Sequence, residues 1–198
     1  MTIPLNIPNV LSLARITAAP MMLVAAWYGH RLLFLSLAVF CMGSDIIDGK
    51  IARWLGQTSE LGAQLDSWAD LAMIVCGPFC GWWLRPELVH TEALALGAVL
   101  GGYGAALAVG YGKFGRLTSY HTRAATFSAY FVGAGAIMAI AGGSTSLFRL
   151  GALLVAYAEL EEVAISWVLP DWRANVPSLS HALTIRRRAS VSSGPVSQ

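Results

Sequence analysis

Four aspartates occur at regular spacing within two otherwise apolar segments of the chain. Asp45 and Asp48 are three residues apart and Asp66 and Asp70 are four apart, so each pair lies on one face of an α-helix. A short turn near residues 56–59 joins the two segments and predicts an antiparallel helix pair whose acidic faces meet. At a rise of about 1.5 Å per residue, Asp48 and Asp66 form a layer about 10 Å below this turn, and Asp45 and Asp70 a second layer about 15 Å below it.

Four carboxylates at this range repel one another and tend to take up protons unless a positive group lies among them. Oxygen-only ligands suit Mg²⁺ or Mn²⁺, and two such ions balance four aspartates. Gly49, Ala52 and Gly62 share the acidic faces and leave room for a ligand to approach the backbone. Lys50 and Arg53, near the turn, can meet phosphate oxygens. The spacing therefore favours a metal site that handles a phosphorylated substrate.

Two other interpretations use the same aspartates. They could pair with basic residues such as Lys50 and Arg53, or with other helices, and simply hold a bundle together. They could also line the ion path of a cation transporter, because ionisable groups within a membrane mark such paths. A transporter predicts charges at intervals across the full membrane depth.

The elements that must position the aspartates are membrane-spanning helices. The chain has 198 residues, of which 56% are hydrophobic and 12% are charged, and its mean hydropathy is +0.61. This composition excludes an ordinary soluble domain and predicts an all-α integral membrane bundle of six transmembrane helices. The six apolar segments are Val10–Tyr28, Leu32–Leu55, Leu61–Leu84, Leu88–Tyr111, Ala124–Ala141 and Leu150–Leu169.

The basic residues predict the orientation of this bundle. Six crossings place both termini on one side, and ten of the 13 lysines and arginines fall at the segment ends on that side. Only Arg31, Arg85 and Arg149 fall opposite. The positive-inside rule therefore places both termini in the cytosol. We expect a membrane domain over residues 1–170 and a flexible basic cytosolic tail over 171–198.

The acidic segment resembles a known family signature. The run Asp45-Ile46-Ile47-Asp48-Gly49-Lys50-Ile51-Ala52-Arg53 is followed by eight residues and Gly62, then by three residues and Asp66, then by three residues and Asp70. All eight defining positions match the signature of the CDP-alcohol phosphatidyltransferases at the spacing of that family. The motif covers about an eighth of the chain, and the family's six-helix layout matches the remainder in outline.

This resemblance implies a phospholipid-synthesising enzyme of the cell (inner) membrane, with its active site facing the cytosol. Such an enzyme transfers a phosphatidyl group from CDP-diacylglycerol to an alcohol and releases CMP, with the help of two Mg²⁺ or Mn²⁺ ions. Asp45, Asp48 and Asp66 would be metal ligands, and Asp70 would lie near the ions and act as general base. The implied donor-binding residues are Asp45, Gly49, Ala52, Arg53 and Gly62.

The loop between the fourth and fifth segments contains candidate acceptor-binding residues. Lys113, Arg116, His121 and Arg123 could bind a phosphorylated alcohol, or they could be ordinary positive-inside residues. Our leading expectation for the acceptor is glycerol 3-phosphate, with inositol phosphate or another polyol as the alternative. The loop departs from the Lys/Thr/Gln-containing stretch expected of family members that use glycerophosphate.

The remaining features predict packing and partners. Glu159, Glu161 and Glu162 either face the bundle, where they could bind a loop arginine, or lie at the membrane edge. Gly97 and Gly101 form a small-residue pair of the kind that allows close helix contact, within the chain or in a homodimer. We expect membrane lipids, and no nucleic acid, as the other partners.

Overall fold

The computed structural model describes residues 6–54, 60–115, 120, 122–173 and 176–192. Within these residues the secondary structure is all helical. The helices are α1 (Ile7–Trp27), α2 (Arg31–Trp54), α3 (Glu60–Leu84), α4 (Pro86–Thr91), α5 (Ala93–Phe114), α6 (Arg123–Ala141), α7 (Ser146–Val168) and α8 (Leu179–Ser192). The prediction of an all-α protein is therefore confirmed.

Glycines with positive φ follow three of the long helices, and one of them, Gly115, follows α5 with φ of 64°. Gly29 follows α1 with φ of 72°, and Gly142 follows α6 with φ of 97°. The Gly142 N–H donates to the Ala139 carbonyl at 3.0 Å, and the next N–H, of Gly143, donates to Met138 at 2.9 Å. This pattern is the Schellman motif, in which a left-handed residue satisfies the last carbonyl groups of a helix. Side chains with a Cβ rarely adopt this conformation, so glycine at these positions determines where the helices end.

Among the helices that the structure describes, three are long and apolar enough to cross a bilayer by length and composition. They are residues Asn9–Trp27 of α1, the whole of α5 and the whole of α6. This supports membrane insertion, whereas the predicted count of six crossings and the orientation of the termini remain predictions. The fourth predicted segment, Leu88–Tyr111, is divided between the short helix α4 and α5. The break comes at Glu92, which caps α4 with φ of −106° and is itself buried.

The chain forms two compact units. The first contains Met1–Ala93 and Gly133–Ser146, and its α1 packs against both α2 and α3. Its core contains many alanines, among them Ala18, Ala25 and Ala38, together with larger side chains such as Phe34. Small side chains allow neighbouring helix backbones to approach closely. The first unit therefore holds α1 firmly between the two acidic helices.

The second unit contains Leu94–Val132 and Leu147–Gln198. Gly151 of α7 lies so close to α6 that a Cβ placed there would be 2.6 Å from the backbone nitrogen of Val132. In contrast, a Cβ on Gly97 or Gly101 of α5 would have no atom within 4 Å in the described structure. The small-residue contact observed within the unit is therefore made by Gly151, and a homodimer through Gly97 and Gly101 remains a prediction.

The region after α7 contains a helix, while the division into a membrane domain over 1–170 and a tail over 171–198 stays a prediction. Residues 179–192 form α8, and Ala182 is completely buried in a cluster with Ile165 and Leu169 of the preceding region. Val176, in the connection before α8, joins the same cluster. Basic and small polar residues surround the apolar positions of this region in the sequence and make them inconspicuous. These positions recur at helical spacing and pack against the end of α7.

Candidate active site

Three of the four aspartates converge in the first unit. Asp45 projects from α2, while Asp66 and Asp70 project from successive turns of α3. One carboxylate oxygen from each lies within 4.8 Å of the others. Their side chains are 29%, 31% and 41% exposed, respectively, so the cluster is partly open to its surroundings. Carboxylates of the two acidic helices therefore converge at these three residues, while α1 packs against both helices and lies between them.

Arg15 of α1 is the positive group among the three carboxylates. One terminal guanidinium nitrogen, Nη1, lies 2.5 Å from an oxygen of Asp45 and 3.3 Å from an oxygen of Asp70. The other, Nη2, donates to Asp66. The Arg15 side chain is only 2% exposed, and the planar fork of a guanidinium suits contact with more than one carboxylate. Arg15 thus ties α1 to both α2 and α3.

The residues of this cluster suit a divalent cation. Among the side chains that the structure describes, the three carboxylates and the guanidinium carry a formal charge of minus two, which one divalent ion balances. Carboxylate oxygens are the ligands that Mg²⁺ and Mn²⁺ prefer. The observed pairing with Arg15 is the kind of ion pair with another helix that the sequence left open. Because one guanidinium cannot neutralise three carboxylates, this pairing leaves charge for a metal.

Other predicted residues of the motif lie on the same two helices. Asp48 is one turn after Asp45 in α2, and Gly62 is one turn before Asp66 in α3. Gly49, Ala52 and Arg53 also belong to α2. The side chain of Asp48 and the surroundings of Gly49, Ala52 and Arg53 lie outside the described part of the structure.

The candidate acceptor residues have different surroundings in the second unit. Arg116 and His121 lie outside the described residues. Lys113 donates from Nζ to three backbone carbonyls at the end of α7, those of Ser166, Trp167 and Leu169, at 2.9, 3.1 and 2.8 Å. The ammonium group has three N–H donors, and these carbonyls engage all of them. Lys113 therefore stabilises the carboxyl end of α7.

Arg123, at the start of α6, lines an open cavity of about 340 Å³. The other lining residues are Pro177, Ser178, Ser180, His181 and Thr184, from α8 and the residues before it. The Arg123 N–H also donates to the carbonyl of Pro177 at 3.4 Å. Arg123 is thus an exposed cation beside hydroxyl groups and an imidazole.

The three glutamates of α7 contact other parts of the second unit. Glu161 accepts a hydrogen bond at 3.0 Å from the backbone N–H of Leu179, the first residue of α8. Glu162 accepts a hydrogen bond from the backbone of Thr122. The side chain of Glu159 lies against Gly102 of α5, where an added Cβ would be 3.1 Å away. The prediction that one or two glutamates face the bundle agrees with these contacts, and within the described residues the hydrogen-bond partners of Glu161 and Glu162 are backbone groups.

Arg15 is one of the ten basic residues that the sequence places on the side of the termini, and no role in the acidic cluster was predicted for it. A signal was present, because Asn9, Ser12 and Arg15 follow one another at intervals of three residues within an apolar helix. All three side chains are buried, at 1%, 3% and 2% exposure. A polar stripe in a membrane helix indicates a face turned towards protein and away from lipid. This stripe could have identified α1 as the third helix that contributes a side chain to the site.

Comparison with known proteins identifies the family. The CDP-alcohol phosphatidyltransferase family model matches residues 5–168, and the chain belongs to this family. With three helices suited to crossing a bilayer, it is a membrane protein. No solved structure matches it.

Several curated relatives are similar over part of their length. A CDP-diacylglycerol–glycerol-3-phosphate 3-phosphatidyltransferase of Cereibacter sphaeroides is 40% identical over 74 residues, covering 35% of this chain and 34% of the relative. The Aquifex aeolicus protein of the same name is 38% identical over 66 residues, covering 33% and 37%. A CMP-forming cardiolipin synthase of Rattus norvegicus is 40% identical over 78 residues, covering 36% and 24%. The chain spans at most about half the length of the curated relatives it matches.

Proposed function

We propose that this protein is a metal-dependent phosphatidyltransferase of the membrane. It transfers the phosphatidyl group of CDP-diacylglycerol to an alcohol and releases CMP. The observation that carries the proposal is the convergence of Asp45, Asp66 and Asp70, three positions of the family signature, around one small space. Family membership over residues 5–168 supports the same reaction class.

Asp45, Asp48, Asp66 and Asp70 would hold the divalent ions on which the family depends. When bound, Mg²⁺ or Mn²⁺ would draw electron density from the donor phosphate and neutralise charge on the CMP leaving group. The donor set fits this role because it consists of carboxylate oxygens and keeps a negative charge beside Arg15. Arg15 would hold the carboxylates of α2 and α3 at a fixed separation.

Asp70 would act as the general base. In the transfer, the acceptor hydroxyl oxygen forms a bond to the phosphatidyl phosphorus, and the bond from that phosphorus to the CMP oxygen breaks. The proton of the hydroxyl passes to a carboxylate oxygen of Asp70, and CMP leaves with the bonding electrons. Asp70 suits this role because it is the most exposed of the three clustered aspartates, at 41%. Because a carboxylate is a weak base for an alcohol, proton transfer must accompany bond formation.

The proposal also covers the residues that bind the donor and the side of the membrane on which the site opens. Gly49, Ala52, Arg53 and Gly62 would line the nucleotide part of the donor site, with Asp45 at its edge. The excess of lysine and arginine on the side of the termini supports a site open to the cytosol in the cell membrane. CMP and a polar acceptor would then exchange with the cytosol, while the acyl chains reach the site from the lipid.

For the acceptor we propose glycerol 3-phosphate, the substrate named for two of the relatives. Arg123 is the described loop cation whose side chain is exposed beside an open cavity, so it is the stronger candidate for binding the acceptor phosphate. Lys113 is engaged at the end of α7 and is the weaker candidate. The similarity to a cardiolipin synthase supports phosphatidylglycerol as a second candidate, because its phosphatidylation yields cardiolipin. Inositol phosphate remains a further alternative.

The test is CMP release by the purified full-length protein. The protein is mixed with CDP-diacylglycerol, Mg²⁺ or Mn²⁺ and one acceptor at a time, and the lipid product is identified by mass. We expect CMP with one acceptor and none after chelation of the metal. Absence of CMP with every acceptor, from a protein that still melts cooperatively, would contradict the proposed reaction.

Asp70→Asn tests the proposed base. The amide keeps the shape of the side chain and removes its basicity, so CMP release should fall about 100-fold or more. The matched control is Asp171→Asn, which changes an exposed aspartate after the end of α7 and should leave the rate unchanged. Equal rates for the two variants would remove Asp70 from the mechanism. Metal flux into proteoliposomes without CMP release would instead favour the cation transporter.

A further inference from the structure

Helix α8 has one apolar face, and this face is docked onto the second unit. Ala182 is completely buried, and Leu179 and Ile185 pack against the same cluster. Glu161 of α7 accepts the backbone N–H of Leu179 at 3.0 Å and so fixes the beginning of α8. The helix is therefore held in a defined position against the ends of its neighbours.

The docking partners place α8 at the boundary of the bilayer. The cluster that holds Ala182 also contacts Phe114, the last residue of α5. Helix α5 has 22 residues and is one of the candidate spans, so it is about 33 Å long and fills the hydrocarbon layer of about 30 Å. Its last residue consequently lies at the level of the lipid headgroups. Trp167, 73% exposed near the end of α7, is an aromatic residue of the type found at that level.

The outer surface of α8 is strongly basic. Arg186, Arg187 and Arg188 are all exposed, and the sequence from Val176 to Ser192 contains no acidic residue. Leu183, 44% exposed, lies one turn before Arg187 and adds an apolar contact. Three clustered arginines at the level of the headgroups match the charge of anionic phospholipids.

We propose that α8 is an interfacial helix that binds the anionic phospholipid surface of the membrane in which the protein is embedded. The docked face fixes the helix to the second unit, and the arginine face binds lipid phosphates. Each arginine near an anionic surface contributes about fivefold, so the three together contribute on the order of 100-fold. This function does not depend on the proposed catalytic reaction.

The experiment measures amide hydrogen exchange over residues 179–192 in the full-length protein in nanodiscs. One set of nanodiscs contains phosphatidylcholine alone, and the other contains about one third phosphatidylserine. Phosphatidylserine is used because phosphatidylglycerol is a candidate acceptor. We expect the anionic lipid to slow exchange in α8 by at least about fivefold, up to the order of 100-fold. Near 1 M salt, where charges are screened within about 3 Å, most of this protection should disappear.

Two variants separate charge from folding. Arg186→Gln/Arg187→Gln/Arg188→Gln should exchange at the same rate in both kinds of nanodisc. The matched control Arg186→Lys/Arg187→Lys/Arg188→Lys keeps the charge and should keep the protection. Because all three side chains are exposed, neither variant should disturb the buried cluster.

Three results would overturn the proposal. The first is equal exchange of the native protein in the two kinds of nanodisc. The second is a lysine variant that behaves like the glutamine variant. The third is full protection by inorganic phosphate in phosphatidylcholine nanodiscs, which would indicate a site for a soluble phosphate.

Discussion

Replacing Arg15 tests whether one guanidinium organises the acidic cluster. In the native protein the carboxylates of Asp45, Asp66 and Asp70 lie within 4.8 Å of one another, and Arg15→Gln removes the cation that contacts all three. The Arg15 side chain is 2% exposed, so little water would reach this position to stabilise the carboxylates after the guanidinium is removed. We therefore expect a folded but less stable protein, in which the three aspartates repel one another.

The magnitude follows from the contacts that Arg15 makes. A hydrogen bond between charged groups contributes about 1.5–3 kcal/mol when well buried. The three carboxylates are 29%, 31% and 41% exposed, so solvent screening reduces each contact to about 1 kcal/mol. The total is about 3 kcal/mol. For a chain of 198 residues this corresponds to a fall in melting temperature of roughly 6–12 °C.

The assay is thermal unfolding of the detergent-solubilised protein, followed by tryptophan fluorescence. Arg15→Lys keeps the charge but loses the planar guanidinium that contacts several carboxylates at once. Its melting temperature should therefore lie between those of the native protein and the glutamine variant. Added Mg²⁺ should raise the melting temperature of Arg15→Gln more than that of the native protein, because a bound cation restores the missing charge. This readout does not require catalytic activity.

The matched control is Arg85→Gln. Arg85 forms an ion pair with Glu87, whose side chain is 59% exposed, and a long hydrogen bond of 3.4 Å to the Ala139 carbonyl, so solvent screening leaves it with a small contribution to stability. If Arg15→Gln melts at the same temperature as Arg85→Gln, the reasoning about Arg15 as the central counter-charge is refuted. A native-like response of Arg15→Gln to Mg²⁺ would refute the link between Arg15 and the metal.

Three further predictions concern the second unit, each measured by thermal unfolding. Gly151→Ala should lower the free energy of unfolding by about 1–3 kcal/mol, because the added Cβ would lie 2.6 Å from the backbone of α6. The control Gly97→Ala, whose Cβ would have no atom within 4 Å, should leave the free energy of unfolding unchanged or raise it slightly. Lys113→Met removes the hydrogen bonds to the last carbonyls of α7 and should lower the free energy of unfolding by about 1 kcal/mol. An unchanged melting temperature would contradict that role. Burial raises the pKa of the Tyr120 phenol above 10.0, so the contribution of this residue to native stability should be lost as the pH rises through and beyond 10, and Tyr120→Phe should reduce this alkaline loss.

Periodicity and spacing predicted much of the fold and part of the site. The ends of α1, α2, α3, α6 and α7 lie within a few residues of the predicted segments, because apolar runs and glycines determine them. The meeting of Asp45 with Asp66 and Asp70 followed from helical periodicity and a short connection. These features depend on local sequence, which a single chain displays directly.

The features that were missed depend on contacts between distant segments. The break at Glu92 lies within a run apolar enough to be read as one span, and the burial of Glu92 becomes evident only in the folded structure. The apolar residues of α8 alternate with basic and small polar ones, and Ala182 contributes to a core only because the ends of α5 and α7 are placed against it. Arg15 is 30 residues from Asp45 and 55 from Asp70, so spacing alone could not pair them.

The position of Arg15 changes the charge balance of the proposed metal site. Four aspartates and two divalent ions sum to zero, so they would provide no net attraction for an anionic donor. With the buried Arg15 included, the same set carries a net charge of plus one, in a partly shielded space where charges interact more strongly than in water. The diphosphate of a CDP-linked donor would then be attracted to a site whose aspartates are already neutralised. Arg15 thus supplies the excess positive charge that the four aspartates and two metal ions alone do not provide.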